Sequence, residues 1–136
     1  MICLLSSSFL VGCDHSSPLA GMRQPDAISV GSQTVVTNRR DIDRFVSVFT
    51  APGHKWRPYR DTFPAPDLAA VAVLRHGGEY LASVYIYSHS DWVIVSAGSA
   101  PLTYSTTLTS EEHGRLFRLL KLEMPNTALE PTPTAP

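Results

Sequence analysis

The part of this chain that most constrains its fold is a series of three strand-like segments in its second half. Each is rich in apolar, β-branched or aromatic residues, and together they comprise Leu68–Leu74, Glu79–Tyr87 and Trp92–Ala97. Gly77-Gly78 lies in the first connection, and paired glycines suit the positive φ angles of a tight hairpin. Ser88-His89-Ser90-Asp91 forms the second connection. Because strands joined by such short turns pair antiparallel, the sequence predicts a three-stranded antiparallel meander.

Two segments that flank the meander have apolar residues at positions i, i+3, i+4 and i+7, the pattern of an amphipathic helix. In the first helix, predicted over residues 38–50, they are Ile42, Phe45, Val46 and Phe49. In the second, predicted over residues 110–122, the same positions hold His113, Leu116, Phe117 and Leu120. Thr37 or Asn38 is suited to cap the first helix, which Ala51-Pro52-Gly53 ends. Thr109 and Glu112 have the spacing of a capping box at the start of the second.

The remaining segments complete a β-α-β-β-β-α order. Ala27–Val36 is predicted as two short strand pieces with a bend or a tight turn between them at Gly31-Ser32. Leu102–Ser105 is predicted as a short strand or an extended lead-in. Residues 54–67 contain three prolines and predict a long irregular connection. The sequence therefore predicts an α+β fold of two layers, with two helices on one face of a roughly four-stranded, mainly antiparallel sheet. The predicted core residues are Phe45, Phe49, Val84, Ile86, Val93, Val95, Phe117 and Leu120.

The composition excludes several classes of protein. A chain of 136 residues with 43% apolar residues can form one domain around one hydrophobic core. Eleven basic residues against twelve acidic ones leave a net charge of −1, which disfavours a general nucleic-acid-binding protein. No apolar run reaches the roughly 18 residues that a membrane-spanning helix needs. Two cysteines, Cys3 and Cys13, are too few for a disulfide-framework mini-protein.

The N-terminal residues indicate a targeting segment. Residues 1–12 are apolar and uncharged, and a polar string follows directly after Cys13. Leu10-Val11-Gly12-Cys13 resembles the lipobox of bacterial lipoproteins. The resemblance implies cleavage after Gly12, diacylglycerol on the Cys13 sulfur and a chain anchored by its acyl groups to a membrane, facing the periplasm. Asp14 after the cysteine resembles the signal that retains such proteins at the inner membrane.

These features divide the chain into four parts: a signal peptide over 1–12, a flexible tether over 13–27, a single α+β domain over 28–124 and a disordered proline-rich tail over 125–136. The tail from Asn126 onward resembles read-through of an integron gene cassette. An alternative reading is a cytosolic, cassette-encoded interaction module of the antitoxin or immunity type, with residues 1–13 as ordinary structure. The absence of any positive charge before Arg23 favours that alternative.

The sequence contains none of the motifs that mark an enzyme. There is no HExxH or CxxC motif for a metal and no GxSxG motif for a nucleophile. His89 and Asp91 lie close together, but in a turn where polar residues are common. We therefore expect a non-enzymatic protein with no catalytic residues, no metal and no cofactor. Because an exported chain rarely meets nucleic acid, we expect none as a partner either.

A basic and aromatic segment stands out as the candidate binding site. Between Arg39 and Arg60 lie six of the eleven basic residues. The end of this stretch alternates basic and aromatic groups, which suits binding to an envelope protein or another anionic surface; the candidate residues are Lys55, Trp56, Arg57, Tyr59 and Arg60. The alternative is a solvated loop whose two aromatic rings pack over the sheet edge. Tyr85 and Tyr87 share a strand face opposite Val84 and Ile86 and suggest a second contact surface.

Overall fold

The predicted meander forms the middle of a larger sheet in the computed structural model, which describes residues 17–60, 67–98 and 102–122. The strands are β1 (Ala27–Val30), β2 (Gln33–Val36), β3 (Arg57–Pro58), β4 (Leu68–His76), β5 (Glu79–Tyr87), β6 (Trp92–Ala97) and β7 (Leu102–Thr107), and the helices are α1 (Arg39–Thr50) and α2 (Ser110–Leu119). Over these residues the chain is an α+β protein whose seven strands form one antiparallel sheet in the order β2-β1-β4-β5-β6-β7-β3.

The hairpin between β4 and β5 is made by the glycine pair identified in the sequence. Gly77 and Gly78 have φ angles of 57° and 84°, a region that residues with a Cβ rarely adopt. Two successive positive φ angles give the turn a twist that matches the flanking strands. The strands then pair along their whole length, with β4 continuing two residues past its predicted end to His76. The prediction of an antiparallel meander is confirmed.

The register of the sheet separates it into two chemically different faces. Ala72, Val84 and Val95 are direct neighbours across β4, β5 and β6, and all three are fully buried. Because side chains alternate along each strand, the adjacent row points the other way, and it consists of Val73, Ser83, Ser96 and Thr103. We call the first side the helix face and the second the far face. Along these two rows the helix face is aliphatic, whereas the far face carries three hydroxyl groups and one valine.

One hydrophobic cluster joins both helices to the helix face. All eight residues predicted for the core are buried within it: Phe45, Phe49, Val84, Ile86, Val93, Val95, Phe117 and Leu120. The apolar stripe of α1 differs from the prediction at one position, because Val48 is buried and Val46 only half-buried. His113 is buried, as its place in the second stripe predicts. The two-layer arrangement thus follows from two apolar helix stripes and one apolar sheet face.

Local hydrogen bonds define where the helices begin. The Asn38 side chain accepts from the backbone N–H groups of Arg40 and Asp41, which caps α1. The capping box at α2 is formed in both directions, with Thr109 Oγ1 accepting from Glu112 N–H at 3.1 Å and Glu112 Oε1 accepting from Thr109 N–H at 2.9 Å. Neither α1 nor α2, the helices within the described ranges, is long and apolar enough to cross a membrane.

The end of α2 contains a lysine in a conformation that favours glycine. Lys121 has a φ of 58°, the one positive φ of a non-glycine residue in the described parts of the chain. The N–H of Leu122 donates to the carbonyl of Phe117 and the N–H of Lys121 to that of Arg118, which together form a Schellman C-cap. Glycine usually occupies this position, and a residue with a Cβ costs about 1–2 kcal/mol there.

The sheet is larger than the predicted four strands, for three reasons. The segment Ala27–Val36, predicted as two short strand pieces joined by a bend or tight turn, is the hairpin β1–β2, turned at Gly31 with a φ of 64°. It supplies two strands of the sheet where the four-stranded prediction counted one. Leu102–Ser105, predicted as either a short strand or an extended lead-in, belongs to the strand β7, which pairs with β6 over six residues. The irregular connection contributes β3, which pairs with the outer edge of β7. β3 has only two residues, too few to show a period, so the sequence pattern did not reveal it.

The chain packs onto the domain earlier than predicted, which corrects the boundary of the flexible tether. Leu19 is buried in the hydrophobic cluster, and Met22 packs against it. Asp26 bonds the β4–β5 hairpin twice, through its N–H to the Arg75 carbonyl and through Oδ2, which accepts from Gly77 N–H. Residues 17–27 therefore belong to the folded domain. Residues 1–12 with their proposed signal, Cys13 and the tail over 125–136 lie outside the described residues.

The buried stripe of α2 can be tested by truncating Leu120, which is 2% exposed. Leu120→Ala should lower the free energy of unfolding by about 2–5 kcal/mol, because it removes buried methyl groups and leaves a cavity. Leu68→Ala is the matched control, since Leu68 is 38% exposed and its truncation should cost about 0.5 kcal/mol. Urea denaturation followed by circular dichroism measures both. Equal losses in the two variants would contradict the placement of α2.

Candidate functional site

The segment over residues 54–60, which follows α1, lies along the outer edge of β7 and is hydrogen-bonded to it. Arg57 lies opposite Ser105 in the register, and the N–H of Tyr59 donates to the Thr103 carbonyl at 2.9 Å. Thr106 Oγ1 donates to the carbonyl of Lys55, also at 2.9 Å. The segment is thus extended, and its side chains alternate between the two faces of the sheet.

This alternation separates the basic residues of the segment from its tryptophan. Trp56 lies on the helix face, only 3% exposed, with its ring centroid 6.5 Å from that of Phe49. Its indole therefore stabilises the core and does not reach a partner, which corrects the expectation that Trp56 contributes to a binding surface. Lys55 and Arg57 point away from the core and are exposed. The buried ring instead holds the backbone that carries the two cations.

A pocket of about 440 Å³ lies beside these two cations, and we call it the edge pocket. Lys55 and Arg57 line it from the segment, Trp92 lines it from β6, and three hydroxyl-bearing residues line it from β7: Ser105, Thr106 and Thr107. Arg57 is opposite Ser105 and Trp92 is opposite Thr107 in the register. Because residues directly opposite one another share a face, these four side chains meet on the far face of the sheet.

The two cations of the edge pocket form no ion pair with the described residues. Among the residues that the structure describes, neither Lys55 nor Arg57 has an acidic side chain within 4 Å. The other basic residues with ion pairs form them on the helices and at the β4–β5 hairpin. Cations beside hydroxyl groups can bind a carboxylate or a phosphate by charge-assisted hydrogen bonds.

His54, which lines the edge pocket, is hydrogen-bonded to Glu112 of helix α2. Its Nε2 donates to Glu112 Oε2 at 3.2 Å, since an ionised carboxylate only accepts. Both side chains are largely buried, with exposed fractions of 8% and 17%. Glu112 is also the carboxylate of the α2 capping box. A single side chain therefore stabilises the helix start and orients the histidine at the pocket.

Aromatic packing on the far face holds Trp92 in place. The Trp92 ring stacks on Tyr87 with centroids 5.6 Å apart, and the ring of Tyr59 meets Trp92 edge-on at 5.2 Å. The Tyr87 carbonyl accepts from Nε2 of the buried His113 at 2.6 Å, which joins this strand end to α2. Tyr85 and Tyr87 share a face as predicted, but Tyr87 is only 2% exposed and is a packing residue, while Tyr80 is 41% exposed.

The hydroxyl group of Tyr87 is buried without a hydrogen-bond partner among the described residues. Burial raises the pKa of Tyr87, because the charged phenolate would lose its hydration, and the nearby Tyr59 and Tyr85 raise the pKa further. A buried hydroxyl with no partner destabilises the folded state.

The structure unites only part of the predicted site. Lys55 and Arg57 meet at the edge pocket, and Tyr59 supports it through Trp92. Arg60 is exposed and is not among the residues that line the pocket, and Cys13 lies outside the described residues. Sequence reasoning missed His54 and the hydroxyl groups of β7. No local pattern identifies them, because pairing between distant segments brings them to Lys55.

The polar turn after β5 forms local contacts. His89 Nδ1 lies 3.3 Å from Asp67 Oδ1, and both side chains are exposed. Ser90 Oγ accepts from the N–H of Trp92, and this hydrogen bond closes the turn. Asp91 instead accepts from the Ser110 hydroxyl at 3.3 Å. Within the described ranges, no group of three His, Cys, Asp or Glu side chains could hold a metal ion.

The unpartnered hydroxyl predicts an unusual response to substitution. Tyr87→Phe should leave the free energy of unfolding unchanged or raise it by about 1 kcal/mol, because the variant no longer buries an unsatisfied hydroxyl. Tyr80→Phe is the control, since the Tyr80 hydroxyl bonds Ser83 Oγ at 2.9 Å and the Ser96 carbonyl at 3.3 Å. This control should lose about 1 kcal/mol. Urea denaturation at pH 7 compares them, and an equal loss in both variants would mean that Tyr87 has a partner.

The same residue predicts a dependence on alkaline pH. Because the pKa of Tyr87 is raised in the folded state, its ionisation costs no stability below pH 10, the ordinary pKa of tyrosine. As the pH rises from there through the folded pKa, the free energy of unfolding falls. The wild type should therefore lose stability more steeply than Tyr87→Phe above pH 10. Parallel curves for the two proteins would contradict the raised pKa.

The chain was compared with protein-family models, with curated protein sequences and with solved structures, and no match was found in any of the three.

Proposed function

We propose that this chain is a non-enzymatic binding domain of the bacterial cell envelope that binds an anionic partner through the edge pocket and is held at the membrane by acyl chains on Cys13. The observation that carries the proposal is the meeting of Lys55 and Arg57, both without an ion pair in the described residues, with the hydroxyl groups of β7. Cations and hydroxyls in one concave site suit an anionic group on a polar, hydrogen-bonding scaffold.

The size and setting of the edge pocket support a partner presented at the surface. A volume of about 440 Å³ lies within the range of small-ligand pockets and can accept one acidic sugar unit or one acidic side chain. Arg57 can form two parallel hydrogen bonds to a carboxylate or phosphate, while Lys55 acts as a point charge. Ser105 and Thr107 can donate to or accept from a polar scaffold. Acidic cell-wall polymers and acidic protein surfaces have this chemistry.

The proposed anchor would keep the domain close to the membrane. The lipobox-like Leu10-Val11-Gly12-Cys13 supports lipidation of Cys13, and Asp14 supports retention at the inner membrane. Ser17 already belongs to the folded part of the chain, since its hydroxyl accepts from the N–H of Leu19 at 3.1 Å. Four residues of chain span at most about 14 Å between Cys13 and Ser17. The proposed anchor would therefore hold Ser17 near the membrane surface.

The edge pocket can be tested with single charge removals in one segment. Lys55→Gln and Arg57→Gln should each weaken binding of a trisaccharide of glucuronic acid at least ten-fold, because each removes a charge-assisted hydrogen bond of about 1.5–3 kcal/mol. Arg60→Gln is the matched control, since Arg60 is exposed in the same segment but outside the pocket lining. Isothermal titration calorimetry measures the affinities, with a glucose trisaccharide as the uncharged probe.

The pattern of losses distinguishes the alternatives. Equal weakening by all three variants would indicate a diffuse basic surface and would contradict the pocket. If a glutamate-rich peptide binds the wild type and loses affinity in the same two variants, the partner is an acidic protein surface. Absence of binding to either probe would overturn the proposed function.

The anchor is tested separately. Wild type should be recovered in the membrane fraction of the expressing cells, whereas Cys13→Ala should be recovered in the soluble fraction, because the variant has no sulfur to acylate. Mass spectrometry of the wild type should show a chain that begins at Cys13 and carries acyl groups. Equal soluble recovery of the two proteins, with an intact Met1, would favour the cytosolic cassette-encoded module instead.

A further inference from the structure

A second basic site lies between the two helices, away from the edge pocket. A groove of about 390 Å³ is lined by Arg44 and Asp41 of α1 and by Arg115, Arg118, Leu119 and Lys121 at the end of α2. Four cations and one carboxylate give this lining a net charge of +3, in a chain whose net charge is −1. We call it the interhelical groove.

The ion pairs at the interhelical groove leave its cations largely available. Arg44 lies 3.8 Å from Asp41, and Arg115 lies 3.7 Å from Glu111. Both pairs are long and exposed to solvent, and pairs of this kind contribute little to stability. Arg118 and Lys121 have no acidic side chain within 4 Å among the described residues. The groove therefore holds more positive charge than its own carboxylates neutralise.

The helix dipole accounts for only part of this cluster. Arg118 and Lys121 lie at the C-terminal end of α2, where a cation is favourable near the free carbonyl groups. Arg44 is in the middle of α1, where the dipole gives no such benefit. Lys121 also occupies the left-handed position at which glycine is preferred. If residue 121 served only to end the helix, glycine would suit the position better than lysine.

We propose that the interhelical groove binds a phosphate group, carried either by an anionic phospholipid or by a soluble phosphorylated molecule. Three guanidinium groups and one ammonium, converging from two helices, match the several oxygens of a phosphate. The half-buried Leu119 adds an apolar side to the same groove. This site is independent of the proposed edge pocket and shares no lining residue with it.

The test uses the full 136-residue chain with Cys13→Ala, so that no acyl group contributes to membrane binding. Sodium pyrophosphate is titrated and followed by backbone amide NMR, which reports the groove and the edge pocket separately. Amide signals of Arg44, Arg115, Arg118 and Lys121 should shift and saturate. Co-sedimentation with vesicles of phosphatidylglycerol, against vesicles of phosphatidylcholine alone, measures the lipid source.

Two variants and one control make the test specific. Arg118→Gln and Lys121→Gly should each weaken binding at least ten-fold, and Lys121→Gly should leave the protein folded because glycine favours a φ of 58°. Arg39→Gln is the control, since it removes one charge from α1 at a residue outside the groove lining and should change affinity less than two-fold.

Each result supports or overturns the proposal. Binding to either probe supports it. Binding to pyrophosphate alone indicates a soluble phosphorylated molecule, binding to phosphatidylglycerol vesicles alone indicates a lipid, and binding to both means that the groove accepts a phosphate from either source. Absence of saturable shifts together with equal sedimentation on both vesicle types would overturn it. Equal weakening in Arg39→Gln and Lys121→Gly would overturn it too, because general charge attraction would then explain the binding.

Discussion

The antiparallel register of β4, β5 and β6 is the constraint on which the rest of this structure depends. It aligns Ala72, Val84 and Val95 on one face, where the stripes of α1 and α2 cover them. A shift of one residue would place these side chains on the other face and expose them. The same register continues to β7 and β3, so it also sets Ser105 opposite Arg57. The core and the edge pocket therefore depend on one pattern of backbone hydrogen bonds.

Several polar contacts connect the core to the edge pocket. Glu112 caps α2 and orients His54, and Thr106 holds the backbone of Lys55. Trp56 anchors the segment from the opposite side by filling the core. The two cations are thus carried by a backbone fixed at several points, which reduces the conformational entropy that binding would cost. A preorganised cationic pocket is consistent with the proposed binding role.

The domain has two separate basic sites with different construction. The edge pocket combines two cations with hydroxyl groups on a sheet edge, whereas the interhelical groove combines four cations from two helices. Hydroxyl groups suit a polar scaffold, and a dense cluster of guanidinium groups suits phosphate oxygens. A proposed anchor at Cys13 would hold the domain at a membrane, where the two sites, on opposite sides of the sheet, face different directions. Binding at the groove would then orient the domain that the acyl chains hold.

Local sequence patterns determined the central elements of this protein. Glycines at the hairpin, the capping box at Thr109 and the apolar period of α1 and α2 act over a few residues, so the α+β class and the core residues could be predicted. They also placed Lys55 and Arg57 in a basic segment. Tertiary structure alone decided that β3 and β7 join the sheet, that Trp56 turns inward and that Leu19 packs on the core. It also brought Trp92 and the β7 hydroxyls to Lys55, and Arg44 to Lys121. These outcomes depend on contacts between residues that are far apart in the sequence. A local pattern of residues does not show which of those contacts form or how favourable they are.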